Sequence, residues 1–153
     1  MAEPVTTGNI TVEQQNYGNQ GLWRFSCTDA DPIQSVDWLT DYDVIIHNVI
    51  FSSCPAVDAG KVSGAYLAFK LPQAVNWNTI ALWYFDDQYS EKGFKKIDLH
   101  LSFPAGTEFV VSMYSTSVLP LVPVVSVFYE RLNTTINLPG KECGFVDWLF
   151  RRC

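Results

Sequence analysis

Lys96-Ile97-Asp98-Leu99-His100-Leu101-Ser102-Phe103 alternates apolar and polar side chains without a break. Successive residues of an extended chain point to opposite faces, so Ile97, Leu99, Leu101 and Phe103 share one side and Lys96, Asp98, His100 and Ser102 the other. One side suits a core and the other suits water. On this reading Leu99 and Leu101 are core residues, and Asp98 and His100 are exposed. Pro104-Ala105-Gly106 ends the run, and Glu108 to Tyr114 follows as the next strand.

Similar short runs fill the chain on either side. Ala65, Leu67, Phe69 and Leu71 alternate with Tyr66, Ala68 and Lys70. Asp43 to Phe51 is rich in β-branched residues. Thr79 to Phe85 is apolar on both faces, the pattern of a central strand covered on both sides. Ile10 to Gln15 and Leu22 to Cys27 flank a hairpin-like turn, Tyr17-Gly18-Asn19-Gln20-Gly21. Pro120 and Pro123 interrupt an apolar stretch before Val124 to Leu132 resumes the strand pattern, because proline cannot donate to a ladder. Eight or nine strands result. Short strands separated by turn residues predict an all-β fold, an antiparallel β-sandwich, with the eight-stranded jelly roll as its particular form.

One short helix is expected near residues 32–40. Asp31 is a suitable N-cap, Pro32 suits the first helical position, and Gln34 is placed for a capping-box contact. Ile33, Val36 and Leu39 would then face the core. The chain divides into a polar N-terminal arm (1–8), the sandwich (9–138) and a hydrophobic C-terminal docking segment (139–153). In that last segment Phe145, Val146, Trp148, Leu149 and Phe150 crowd together after Pro139-Gly140 and Gly144. Disordered tails lack such apolar density, so these five residues are the candidate partner-docking site. The tetrapeptide Val36-Asp37-Trp38-Leu39 recurs at Val146-Asp147-Trp148-Leu149, but the flanking residues differ and no duplicated domain follows.

Composition bounds the function. Of 153 residues, 48% are hydrophobic and 14% aromatic, while 17% are charged, below the ~25% usual for globular chains. The apolar excess must fill a core or meet other chains. A net charge of −6, with basic residues scattered, excludes a nucleic-acid surface, which needs clustered cations. No apolar run is long enough for a membrane span. The start, Met1-Ala2-Glu3-Pro4-Val5, lacks the features of a secretory signal, so synthesis in the cytoplasm is expected, and with it reduced thiols at Cys27, Cys54, Cys143 and Cys153.

Chemistry-bearing motifs are sparse. There is no phosphate-binding glycine loop, nucleophile elbow or CxxC pair, so no catalytic residues, metal ligands or cofactors are assigned. Asp29-x-Asp31 and Asp41-x-Asp43 have spacings that a calcium loop uses, but capping and turn chemistry explains such residues more simply. His100 reads as a solvent-facing side chain beside Asp98. The candidate sugar-binding residues are Trp77, between Asn76 and Asn78, and Tyr89, after Asp86-Asp87-Gln88. Flat rings beside amides and carboxylates stack on a sugar face and hydrogen-bond its hydroxyls.

These features favour a non-catalytic structural or interaction subunit of an oligomeric assembly, with self-association or other subunits as partners. A virion protein (capsid, decoration or tail component) fits synthesis without a signal and the frequency of jelly rolls in capsids. The alternative is a carbohydrate-binding, lectin-like module, with an uncharacterised hydrolase third.

Overall fold

A computed structural model describes residues 3–27, 33–52, 62–86, 95–115 and 124–132. Nine strands lie among them: β1 (Ile10–Tyr17), β2 (Gln20–Cys27), β3 (Gln34–Leu39), β4 (Asp43–Ser52), β5 (Val62–Lys70), β6 (Asn78–Asp86), β7 (Lys95–Phe103), β8 (Glu108–Ser115) and β9 (Val124–Leu132). They form two antiparallel sheets, of five strands in the order β1-β2-β9-β4-β7 and of four in the order β3-β8-β5-β6. The pairing is nested. β2 lies beside β9, β3 beside β8, β4 beside β7 and β5 beside β6. The chain from β2 to β9 is therefore one long hairpin folded over itself, which is the jelly roll, with β1 added beside β2.

The core is aromatic and crosses between the sheets. Tyr129 stacks on Trp23 at 3.8 Å between ring centroids, and Trp23 meets Trp38 edge-on at 5.1 Å. Trp38 packs on Phe109, Phe109 on Phe103 and Phe103 on Phe69, at 5.6, 5.2 and 4.8 Å. Full burial of each large apolar side chain contributes about 1.5–3 kcal/mol before ordering entropy. Much of the apolar excess in the composition is placed here.

The expected helix is not formed. Residues 34–39 are β3, in which Val36 and Trp38 are buried while Ser35, Asp37 and Leu39 point outward. The true period is two, and the spacing of Ile33, Val36 and Leu39 misleads because Ile33 and Leu39 are exposed. Pairing of all six residues with β8 outweighs the local capping signature. Asp31 and Pro32 lie outside the described residues.

β6 is likewise not a central strand. It lies at the edge of the four-stranded sheet, and its outward Leu82 and Tyr84 are exposed. Within the N-terminal arm, Glu3 is bonded to the sandwich. Glu3 Oε1 accepts hydrogen bonds from Trp23 Nε1 (2.9 Å) and Gln14 Nε2 (2.7 Å), and Oε2 accepts from the Tyr42 hydroxyl (2.5 Å) and Arg131 (3.1 Å). One carboxylate thus ties β1, β2, β9 and the start of β4 together. Burial, then the bond to Glu3, pushes the Tyr42 hydroxyl far above the usual tyrosine range.

β7 departs from its expected alternation in one place. Val127, Val49 and Ile97 align across β9, β4 and β7, and so do Tyr129, Ile46 and Leu101. Between these rows β9 has Phe128 alone, β4 has His47 and Asn48, and β7 has Asp98, Leu99 and His100. The sheet fans outward through successive bulges, and His100 takes a left-handed φ of 51°. Leu99 still packs on the core, but Leu101, on an edge strand, is 42% exposed rather than buried.

Candidate functional site

The strand order of the four-stranded sheet sets side chains from distant sequence positions side by side. Asp37, Val110, Ala68 and Thr79 form one outward row, and Ser35, Ser112, Tyr66 and Leu82 the next. Ala68 and Ser112 are small and buried, so the floor is low between Tyr66 and the loop that carries Trp77. That loop turns tightly, with Ala74 N donating to Leu71 O (3.0 Å) and Gln73 at φ 65°. It delivers Trp77 to the rim just before β6.

A groove of about 410 Å³ results, lined by Ser35, Asp37, Tyr66, Ala68, Trp77, Thr79, Val110 and Ser112. Trp77 is 42% exposed. Its ring is held by Lys70 Nζ, 5.2 Å from the centroid, and Lys70 is itself paired with Glu108 Oε1 at 3.1 Å. Ser35 Oγ and Ser112 Oγ share a 2.7 Å hydrogen bond, which leaves each hydroxyl further bonding capacity. Asp37 is the one charged side chain of the lining. The groove therefore offers two rings, the aliphatic hydroxyls of Ser35, Thr79 and Ser112, the Tyr66 phenol and a carboxylate acceptor.

The aromatic surface continues along the same face. Tyr114, Gly64 and Tyr84 form the row beyond Tyr66. A Cβ at Gly64 would meet Trp83 O at 2.5 Å and the Tyr114 hydroxyl at 2.6 Å, so the absence of a side chain lets Tyr114 lie across the sheet. Burial, then the neighbouring Tyr84 and Tyr66, raises the Tyr114 hydroxyl above its ordinary value.

The opposite face, outside the five-stranded sheet, is polar. Arg24 pairs with Glu13 (3.2 Å) and Lys96 with Asp98 (3.5 Å). His47 lies between Glu130 and His100. A hollow of about 550 Å³ at the β1–β2 hairpin is lined by Gln15, Asn16, Tyr17, Gln20, Gly21, Leu22 and Phe128, with Tyr17 90% exposed. Its rings are Tyr17 at the open hairpin tip and Phe128 on β9, with no charged side chain in the lining, whereas the groove sets a ring on each side of a floor that includes the Asp37 carboxylate.

Trp77, singled out by its amide neighbours, thus lies on the groove. Tyr89 lies outside the described residues, as do Phe145, Val146, Trp148, Leu149 and Phe150. In the sequence Tyr66 is visible only on the side of its run opposite Ala65, Leu67, Phe69 and Leu71, Asp37 only within the repeated tetrapeptide, and Asp41 and Asp43 as turn and capping acids. Of those acids, Asp43 does cap a turn, accepting from Ala105 N at 2.8 Å. Among the described residues no group of three or more His, Cys, Asp and Glu is placed to share a metal ion, and no helix is long and apolar enough to cross a membrane. His100 is exposed as expected, but its partner is His47 rather than Asp98.

No family model matches the chain, and no curated protein matches it. Several solved structures are similar in fold. Chitosan-binding module 1 of a chitosanase/glucanase from Paenibacillus sp. IK-5, as its V110M mutant, is 12% identical with a TM-score of 0.39, covering 69% of this chain and 74% of that one. The family 32 carbohydrate-binding module of C. perfringens NanJ, solved with galactose, is 9% identical with a TM-score of 0.38, covering 83% and 98%. The corresponding module of AlyQ, solved with 4,5-unsaturated mannuronic acid, is 9% identical with a TM-score of 0.35, covering 71% and 76%.

Proposed function

We propose that the chain is a carbohydrate-binding module and that the groove outside the four-stranded sheet holds the glycan. The observation that carries this reading is the placement of exposed Trp77 and half-buried Tyr66 on either side of a low floor of Ala68 and Ser112. Rings of this kind stack on the apolar face of a sugar, while Asp37, Ser35, Ser112 and Thr79 bond its hydroxyls. Because the single charged lining residue is an acceptor, neutral or cationic sugars fit and anionic ones are disfavoured. The reading replaces the assembly subunit as the leading function: of the features that favour that role, the apolar excess is largely taken up by the core, and residues 145–150 lie outside the described residues. Nothing among the described residues bears on a virion.

The test is a glycan array followed by calorimetry on whatever binds. Trp77→Ala and Tyr66→Ala should each weaken binding at least tenfold, the loss typical of a ring at the centre of a contact, with Asp37→Asn losing less. A wild-type protein that binds no glycan on a broad array, or undiminished binding by the Trp77→Ala/Tyr66→Ala double variant, overturns the reading.

A further inference from the structure

His47 and His100 stand 53 residues apart in sequence, yet their Nδ1 atoms are 3.1 Å from one another. The bulges of β4 and β7 bring them together, and the left-handed backbone at His100 turns its ring toward β4. On the far side of His47, Nε2 lies 3.0 Å from Glu130 Oε1 on β9. An ionised carboxylate can only accept, so His47 Nε2 carries the hydrogen in this contact. The neutral ring is then left with a bare lone pair on Nδ1, aimed at His100. For the present contact His100 Nδ1 must donate. In its other tautomer, with the hydrogen on the outer nitrogen, two bare Nδ1 lone pairs face one another.

We propose that His47 and His100 form a chelating pair for a divalent transition-metal ion, with copper(II) bound most tightly. An ion with metal–nitrogen bonds of ~2.0–2.1 Å sets its nitrogens roughly 2.9 Å apart in cis square-planar geometry and roughly 3.3 Å apart in tetrahedral geometry. The observed separation of 3.1 Å falls between these values, so the two nitrogens already stand at a chelating distance and a tilt of the rings aims both at one ion. Glu130 supplies the outer carboxylate that fixes the tautomer and orientation of a ligating histidine. Water completes the coordination, because the described residues contribute two nitrogens and no third ligand. Copper(II) is preferred because it heads the divalent affinity series and accepts tetragonal nitrogen–oxygen sets. The pair lies on the polar face, away from the glycan groove, and the proposal does not depend on the function of that groove.

Copper(II) titrated into the full chain should bind one equivalent, with electron paramagnetic resonance reporting two nitrogen ligands. His47→Ala and His100→Ala should each lower the affinity at least tenfold. Glu130→Gln, which keeps both nitrogens, should retain the two-nitrogen spectrum with about a tenfold loss or more. A His47→Ala/His100→Ala double variant that binds copper(II) as tightly as the wild type overturns the proposal. Should that variant fail to fold, zinc titration of the wild type followed by imidazole nitrogen-15 spectra gives an independent answer. Coincident shifts of both Nδ1 resonances support the pair, and unmoved resonances overturn it.

Discussion

Outside the four-stranded sheet stand Tyr66, Tyr84, Tyr114, Leu82 and Trp77, over a floor of Gly64, Ala68 and Ser112. Outside the five-stranded sheet stand Glu13, Arg24, Glu130, His47, Lys96 and Asp98, most of them in ion pairs or hydrogen bonds with one another. Apart from the bulges of β4, β6 and β7, both sheets obey the same alternation, and both bury their inner residues in one aromatic core. What differs is what the outward positions hold. The low overall charge is therefore not spread evenly. It leaves one face that prefers contact and another that prefers water and ions.

The sharpest attack on this contrast is at the floor of the aromatic face. Gly64→Ala forces both the Trp83 carbonyl and the Tyr114 ring away from the new Cβ, and should cost about 1–3 kcal/mol in urea unfolding, as overpacking does. A neutral result would mean that Tyr114 is not held across the sheet.

A second test uses alkali. Tyr114 and Tyr42 both have hydroxyls raised above their usual value of 10.0, chiefly by burial. The folded state then holds these protons more tightly than the unfolded state. The stability they contribute is complete below pH 10 and is lost as pH rises above it. Unfolding measured across this range should show falling stability, and Tyr114→Phe should flatten part of the slope. An unchanged slope would remove the tyrosine row from the argument.

The smallest effects are expected on the polar side. Arg24→Ala should change stability by less than about 0.5 kcal/mol, as exposed ion pairs do. Leu101→Ala, on the same sheet's edge, should cost about 1 kcal/mol rather than the 2–5 kcal/mol of a buried leucine. A large loss at either position would show that the five-stranded sheet is covered by something.

The β class and the sandwich were readable because β5, β7 and β8 carry period-two patterns, and local turn residues separate them. β3 was not readable. It is six residues long, its inward side consists of Val36 and Trp38, and a convincing helix cap stands just before it. Its strand character comes from β8, which is distant in sequence. The site was half legible for the same reason. Trp77 announces itself as a ring between two amides, whereas Asp37, Ser35 and Ser112 join it through a strand order that no local pattern encodes. The contact of His47 with His100 was hidden more deeply, since it depends on two bulges in register.

Those bulges have a bearing on how copies of the chain behave toward each other. A flat, regular edge invites a second molecule to extend the sheet by zipping its own strand alongside. At β7 such an intruder would meet a left-handed residue, three residues spanning the space that one occupies on β9, and the charged Lys95, Lys96 and Asp98. Its ladder would fall out of step within a few residues. The irregularity that brings two imidazoles together thus also protects the β7 edge from runaway stacking, and replacing it with a regular strand would be expected to yield a protein that aggregates.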